Sequence, residues 1–340
     1  VIRYLGKRFL TMLVTLAIVS ALIFWIINLP PGDYLSNQIM ELRAQGEAAS
    51  IEKAEFLRQQ YSLDQPLWKQ YLIWIGAMPG PDGYNGMLQG DFGWSFEFDQ
   101  PVNEVLGDAL WLTCIVNLAA LLFIYIVSLP LGTIAAVRAG SWLDYFIAII
   151  GYIGLATPNF LLALILLYYG QIYLDLPIGG LMDPKFEGEP LSWAKIKSVL
   201  AHLIVPTIVI GTAGTAAMIR RLRANLLDEL GKPYVVTAKA KGLSPTKRVV
   251  KYPLRAALNP FVADIGNLLP SLVSGSVLVS VVLSLPTLGP ALLTALRTQD
   301  QYLAGFILLF ISALTLVGML VSDILLAILD PRIRFGGRSA

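Results

Sequence analysis

Long charge-free stretches dominate the chain. Phe9 to Leu29, Ala109 to Val137, Tyr145 to Leu174 and Ile265 to Leu296 contain no Asp, Glu, Lys or Arg. Ser198 to Ile219 carries only His202, and Gln301 to Ser322 runs on from Ile324 to Leu329 past a lone Asp323. A helix crossing the hydrocarbon core needs about 20 apolar residues. The pattern therefore predicts an all-α polytopic membrane protein with six transmembrane helices. The first stretch follows Arg3, Lys7 and Arg8, as a signal peptide would. It exceeds a signal peptide's apolar region of about 7–15 residues and lacks a small-x-small cleavage site, so it reads as a retained span.

Charge between the stretches sets the expected orientation. With six alternating spans and the N-terminus inside, seventeen of the 25 Lys and Arg fall on the cytoplasmic side, ten of them between Arg220 and Arg255, and eight fall outside. This is the asymmetry of the positive-inside rule. Both termini are then cytoplasmic. The expected organisation is a first span at 1–30, an extracytoplasmic domain at 31–108, and a core at 109–335 with five spans and a cytoplasmic loop at about 228–258. Within the outer domain, Ala48 to Gln60 reads as a short polar helix. Trp68, Tyr71, Trp74 and Ile75 recur at helical spacing, as an aromatic face for the membrane interface or for the small domain's own core. A second outer loop, Asp175 to Lys197, holds Asp183, Glu187 and Glu189.

Composition narrows the class. Of 340 residues, 56% are hydrophobic and 14% charged, with mean hydropathy +0.67. Soluble domains carry roughly 25% charge, so soluble and disordered classes are excluded. The net charge of +2 argues against a nucleic-acid binder. One Cys and one His leave no material for a metal centre or for Ser/His or Cys/His catalysis. Cys114 reads as a small buried hydrophobe, and His202 as an interfacial rather than a pore-lining residue. Asp264 and Asp323 lie beside or within apolar runs, where carboxylates are costly; an interfacial or salt-bridged role is expected for Asp264 rather than a place on the route, and a structural pair with an Arg for Asp323.

The cytoplasmic loop has ordered punctuation. Pro233 suits the first turn of a helix, Gly242 the left-handed position after its end, and Ser244-Pro245 the cap and first turn of a second helix. Two short helices joined at a corner are predicted. The small residues Thr237, Ala238 and Ala240 stand among cations, a shape suited to a partner's groove.

These residues resemble the coupling loop of ATP-binding-cassette importer permeases, most closely the dipeptide/oligopeptide/nickel branch with its Tyr-Val-x-Thr-Ala-x-Ala-Lys-Gly-Leu pattern. Tyr234, Val235, Thr237, Ala238, Ala240, Lys241, Gly242 and Leu243 all fit. Further matches are Pro31-Gly32-Asp33, Leu63-Asp64-Gln65-Pro66 with Gln70-Tyr71, Gly90-Asp91-Phe92-Gly93-Trp94-Ser95 with Pro101-Val102, and Asp330-Pro331-Arg332-Ile333-Arg334. The large first outer domain is like that of the B-type subunit. The resemblance implies a non-enzymatic permease of a bacterial inner membrane that binds no cofactor. ATP is bound by two partner ATPase subunits docking through Tyr234, Thr237, Ala238, Ala240, Lys241, Gly242 and Leu243. The other implied partners are a second, homologous permease and an extracytoplasmic binding protein delivering peptides or related solutes.

One segment departs from that pattern. Ser280 stands where the family has Glu, and Thr287 where it has Gly. Oligosaccharides, opines or nickel are therefore competing substrates. Candidate path residues are Ser280, with Pro158 and Asn159 at the proline interrupting the third stretch. A secondary transporter is the competing class, but the inverted repeats or paired broken helices expected of one are not visible.

Overall fold

A computed structural model of the chain describes residues 2–30, 34–35, 39–40, 48–81, 83–174, 177–186, 189–190 and 192–329. The Pro31-Gly32-Asp33 and Asp330–Arg334 matches, and Asp175 and Glu187, lie outside the described residues. In chain order the α-helices are α1 (Ile2–Ile27), α2 (Ala48–Gln60), α3 (Leu67–Trp74), α4 (Val102–Leu106), α5 (Ala109–Val137), α6 (Trp142–Ala156) and α7 (Asn159–Leu174). There follow α8 (Trp193–Leu230), α9 (Pro233–Ala240), α10 (Pro245–Lys251), α11 (Pro253–Ala263), α12 (Ile265–Val282), α13 (Leu288–Thr298) and α14 (Gln301–Leu329). The strands β1 (Trp94–Ser95) and β2 (Gln100–Pro101) pair antiparallel, with Trp94 opposite Pro101.

The protein is mostly helical, and among the described residues four helices are long and apolar enough to span a bilayer: Leu5–Ile27 of α1, α5, α8 and Gln301–Ile328 of α14. The pair α6–α7 makes a fifth if counted as one span. Six spans were expected from the sequence, and two of the apolar stretches are broken near prolines. Tyr145 to Leu174 bends by 101° between α6 and α7. Pro158 disfavours helical geometry in the residue before it, and Thr157 is extended at φ −85°, ψ 118°. Ile265 to Leu296 is likewise divided. Helix α12 stops at Val282, Ser284 takes φ 51°, and α13 begins only after Pro286.

A second departure lies at the other edge of the loop. Arg220 to Glu229, beyond the apolar stretch that ends at Ile219, continues α8 to Leu230. Arg, Leu, Ala and Glu are strong helix formers, so charge ends the apolar stretch without ending the helix. At 1.5 Å per residue the 38 residues of α8 reach about 57 Å, against about 30 Å of hydrocarbon.

Two compact units divide the chain. The first comprises Val1–Leu10, Trp111–Pro286 and Leu314–Ala340. Helix α8 lies at its centre, packed against α6, α7, α11 and α12. A Cβ added at Gly132 of α5 would stand 3.1 Å from the Ile219 carbonyl oxygen, and one at Gly154 of α6 would stand 2.8 Å from Thr212. Small residues are what let helices approach this closely in a membrane. The core includes Leu112, Val116, Ile124, Val209, Met218, Leu222, Phe261 and Leu272.

Three ion pairs anchor this unit. Arg223 holds Asp144 through two hydrogen bonds, Nε to Oδ1 at 2.6 Å and NH2 to Oδ2 at 2.7 Å. The same carboxylate accepts the Gly140 N–H at 2.9 Å, where α6 begins. Arg221, two residues away on α8, pairs with the buried Asp264 between α11 and α12. Arg8 pairs with Asp323 at 3.3 Å. Asp323 thus pairs with an Arg, as expected, and Asp264 takes the salt-bridged one of its two expected roles. Cys114 is only half-buried. His202 is buried, with Nδ1 2.8 Å from the Ser198 carbonyl oxygen and Nε2 3.8 Å from Asp183.

The second unit comprises Thr11–Leu110 and Thr287–Ala313. Helix α2 has the bounds read from the sequence. The aromatic face of α3 turns inward: Tyr71 and Trp74 lie 5.6 and 5.4 Å from the Phe24 ring of α1, and the Tyr71 hydroxyl meets Ser20 at 2.9 Å. Trp68 remains exposed. Asp300, fully buried before α14, accepts from Ser95 Oγ at 2.6 Å and from the N–H groups of Glu97 and Leu303 at 3.2 Å. It ties the β1–β2 hairpin to the start of α14. Burial pushes its carboxyl above the usual range, and these hydrogen bonds hold it back.

The Arg223–Asp144 pair generates the first prediction. Asp144→Ala leaves Arg223 without its main partner and should cost about 3 kcal/mol or less, because the guanidinium stays partly solvated. Thermal unfolding in detergent should show a smaller loss for the Asp144→Ala/Arg223→Ala double variant than the two single losses combined. Simple additivity would show the pair to be energetically idle.

Candidate functional site

The exposed corner formed by α9 and α10 follows directly from the end of α8. Pro233 occupies the first turn of α9, where its missing N–H costs nothing. The helix closes with the Gly242 N–H donating to the Lys239 carbonyl at 3.0 Å and the Leu243 N–H to the Ala238 carbonyl at 3.3 Å. This paired closure is the Schellman end. It places Gly242 at φ +74°. Pro245 opens α10 with Ser244 at the cap position. The backbone follows the sequence expectation, but the Ser244 side chain makes no capping hydrogen bond. The first turn is held instead by the Arg248 N–H on the Ser244 carbonyl at 2.9 Å.

A carboxylate joins the corner to α8. Glu229 accepts from Tyr234 Oη through one oxygen and from Lys232 Nζ through the other. Burial and the Glu229 contact push the Tyr234 phenol up to about 12, so it stays protonated and donating. Sequence reading missed this clamp; its signal was the Glu229, Lys232 and Tyr234 spacing across the helix break. Asp144 was missed as well, although Ser141-x-x-Asp144 is a capping pattern.

The structure sorts the seven sequence-derived corner residues by face. Tyr234, Thr237, Ala240, Lys241 and Gly242 are exposed, and Leu243 is half-buried. Ala238 is buried at 5% exposure, on the same side as Val235 at 7%. Its small side chain serves packing inside the chain, so it is not a free docking surface. The outward face combines small groups, the exposed Val236, and the cations Lys239 and Lys241.

The candidate path residues lie in the same unit. Pro158 sits exposed at the α6–α7 bend. Asn159, half-buried, starts α7, and its Nδ2 would stand 3.4 Å from a Cβ added at Gly275 of α12. Ser280, further along α12, is buried at 1% exposure. The bend therefore meets α12, the helix that carries Ser280.

Comparison with known proteins now decides the class. Residues 128–335 match the family described as binding-protein-dependent transport system inner membrane component, and residues 1–118 match its N-terminal companion. The chain belongs to this family. The permease is similar over its length to the oligopeptide transport system permease protein AppB of Bacillus subtilis (strain 168), 33% identical over 334 residues covering 98% of this chain and 99% of the relative. A putative peptide permease protein of Brucella suis biovar 1 is 31% identical over 335 residues, with the same coverage. The dipeptide transport system permease protein DppB of Escherichia coli (strain K12) is 29% identical over 350 residues, again 98% and 99% covered. The permease is thus a multi-pass membrane protein of a transport system that implies ATPase and binding-protein partners, and it has no catalytic activity of its own.

The Gly242 geometry supplies a prediction for the corner itself. A Cβ there would meet nothing within 4 Å, so strain from the positive φ is the only penalty. Gly242→Val should lose about 1–2 kcal/mol locally, whereas Gly242→Asn, tolerant of this region, should lose less. Hydrogen-exchange protection of the α9 amides in the detergent-purified permease should fall for Val and hold for Asn. Equal protection in both would mean that the left-handed residue does not fix the corner.

Proposed function

We propose that this chain is the membrane-spanning subunit of a peptide importer, paired with a second, homologous permease, and that two ATPase subunits dock on the two coupling corners. The observation that carries this reading is the α9–α10 corner: two short helices with a fixed left-handed joint, clamped to the end of an over-long helix and presenting small and cationic groups outward. Such a corner passes a push from a partner to α8 as a rigid body rather than absorbing it. Peptides are the proposed substrates because the relatives' names specify oligopeptides and dipeptides. An extracytoplasmic binding protein delivers them, and alternating access moves them inward.

In the proposed topology both termini and the corner are cytoplasmic, and 31–108 and the loop after α7 are outside. The charge distribution supports this orientation. Six crossings follow if the bent α6–α7 pair counts once and α12, with the segment after it, serves as another. The outer domain then comprises the region between the first two crossings.

Two experiments test the reading. A thiol reagent that cannot cross membranes should label Asn85→Cys in intact cells and leave Ser244→Cys untouched; labelling of Ser244→Cys from outside would overturn the topology. In purified complexes matched for amount, Gly242→Val should lower peptide-stimulated ATP hydrolysis roughly tenfold, a loss of about 1.4 kcal/mol in coupling. Lys241→Ala should retain most of it, since an exposed ion pair is worth only about 0–1 kcal/mol. Ala238→Trp should instead reduce the yield of folded protein, because that site is filled from within the chain. Full coupling in Gly242→Val with loss in Lys241→Ala would mean that docking works through charge and not shape.

A further inference from the structure

The second unit contains a cavity that the transport role described so far does not use. It has a volume of about 250 Å³. At about 30 Å³ per liquid water, that is room for one end of a peptide. Four aromatic side chains line it, Tyr61, Trp74, Trp94 and Tyr302, together with a single charged residue among the described ones, Asp91. No Lys or Arg is among those lining residues.

The walls are set before any ligand arrives. Asp91 Oδ1 accepts the Gly93 N–H at 2.9 Å, which fixes the carboxylate. Tyr302 donates its hydroxyl to the Tyr61 carbonyl at 3.0 Å, and the two rings meet edge-on at 5.5 Å. The Tyr302 ring is fixed further by Phe96 at 6.0 Å and by Gly93, where an added Cβ would stand 2.2 Å from it, so it forms a rigid part of the wall. Trp74 is held from behind by Phe24. Gly80, Gly83 and Gly86 also line it, and Gly80 and Gly83 hold a tight turn by exchanging main-chain hydrogen bonds at 2.7 and 3.1 Å. An anion would meet a carboxylate with no Lys or Arg beside it among the lining residues. An ammonium group finds in the same arrangement a counter-charge and rings that attract cations.

The geometry points to a binding site for a primary ammonium group, and specifically for the free N-terminal end of a peptide substrate, formed by Asp91 with the Tyr61, Trp74, Trp94 and Tyr302 rings. The identity of the ammonium donor rests on the peptide-import reading; the chemistry of the site does not. A lysine side chain of the delivering binding protein offers the same group, and the test separates the two sources.

Saturation-transfer difference NMR on the full permease–ATPase complex in nanodiscs, without binding protein or ATP, gives the direct measurement. Trialanine should show transfer and N-acetyl-trialanine at least fivefold less. Asp91→Asn keeps an oxygen acceptor for the Gly93 N–H and removes the charge. It should lower the trialanine signal at least fivefold, while Asp91→Glu stays within about twofold of the unmodified complex. Thermal unfolding and size-exclusion elution of each complex check that the variants are folded. Equal signals from the two peptides, or a trialanine signal unchanged in Asp91→Asn, would overturn the proposal. In a second arm, the affinity of the peptide-free binding protein for the complex is measured by surface plasmon resonance. Asp91→Asn should leave it unchanged; a drop of fivefold or more with an unaltered trialanine signal would assign the site to a lysine of the binding protein and overturn the substrate assignment. Failure of the complex to transport peptides would overturn the peptide-import reading separately, because the trialanine measurement needs no transport.

Discussion

Two arginines on one helix hold the first unit together. Arg221 and Arg223 stand two residues apart near the end of α8, and each engages a carboxylate from a different part of the chain: Asp264 between α11 and α12, and Asp144 at the start of α6. Buried carboxylates left alone at the edge of an apolar region would be prohibitively costly. Pairing removes that cost only in one arrangement of the helices. The arginines thus act as positional keys. Once α8 is fixed relative to α6 and the α11–α12 joint, the close approaches at Gly132 and Gly154 and the core around Met218, Leu222 and Phe261 have a single register.

The length of α8 gives that arrangement its mechanical meaning. Its apolar part can cross a bilayer, and a further stretch of charged helix carries Glu229 beyond it. Glu229 then grips Tyr234 and Lys232, so the corner is joined to α8 by side chains as well as by the main chain. The proposed transmission of ATPase movement rests on that continuity. A flexible linker would dissipate a displacement of the corner; a helix clamped at its end and keyed by two arginines conveys it to every helix packed on it.

The second unit follows a different logic. It joins an aliphatic core, with Val102, Leu106, Leu288, Leu303 and Ile307, to two aromatic groups, Phe24 with Tyr71 and Trp74, and Tyr61 with Phe96 and Tyr302. One buried carboxylate, Asp300, organises the hairpin. Rigid rings bury large area with few freely rotating bonds and so add to that core. Aromatic residues of this unit also line the cavity that holds Asp91, where the proposed recognition site lies.

Much of this was legible in the residues alone. Apolar length identified a membrane protein, and Pro233, Gly242 and Ser244-Pro245 specified the corner, because proline and positive-φ glycine act through local backbone geometry that no distant contact needs to supply. The matching motifs placed the family. Tertiary structure decided the rest. The bend at Pro158 and the break at Ser284–Pro286 divided two stretches that hydropathy reads as continuous, since hydropathy measures transfer from water and carries no information about direction. Charge likewise did not end α8, because helix propensity and hydropathy are separate properties of a residue. Only the folded chain shows which arginine meets which aspartate, that Ala238 faces inward while Tyr234 faces out, and that Asp91 shares a cavity with Tyr302, more than two hundred residues away. Those facts depend on contacts between distant positions, and a sequence read along its length contains no distances.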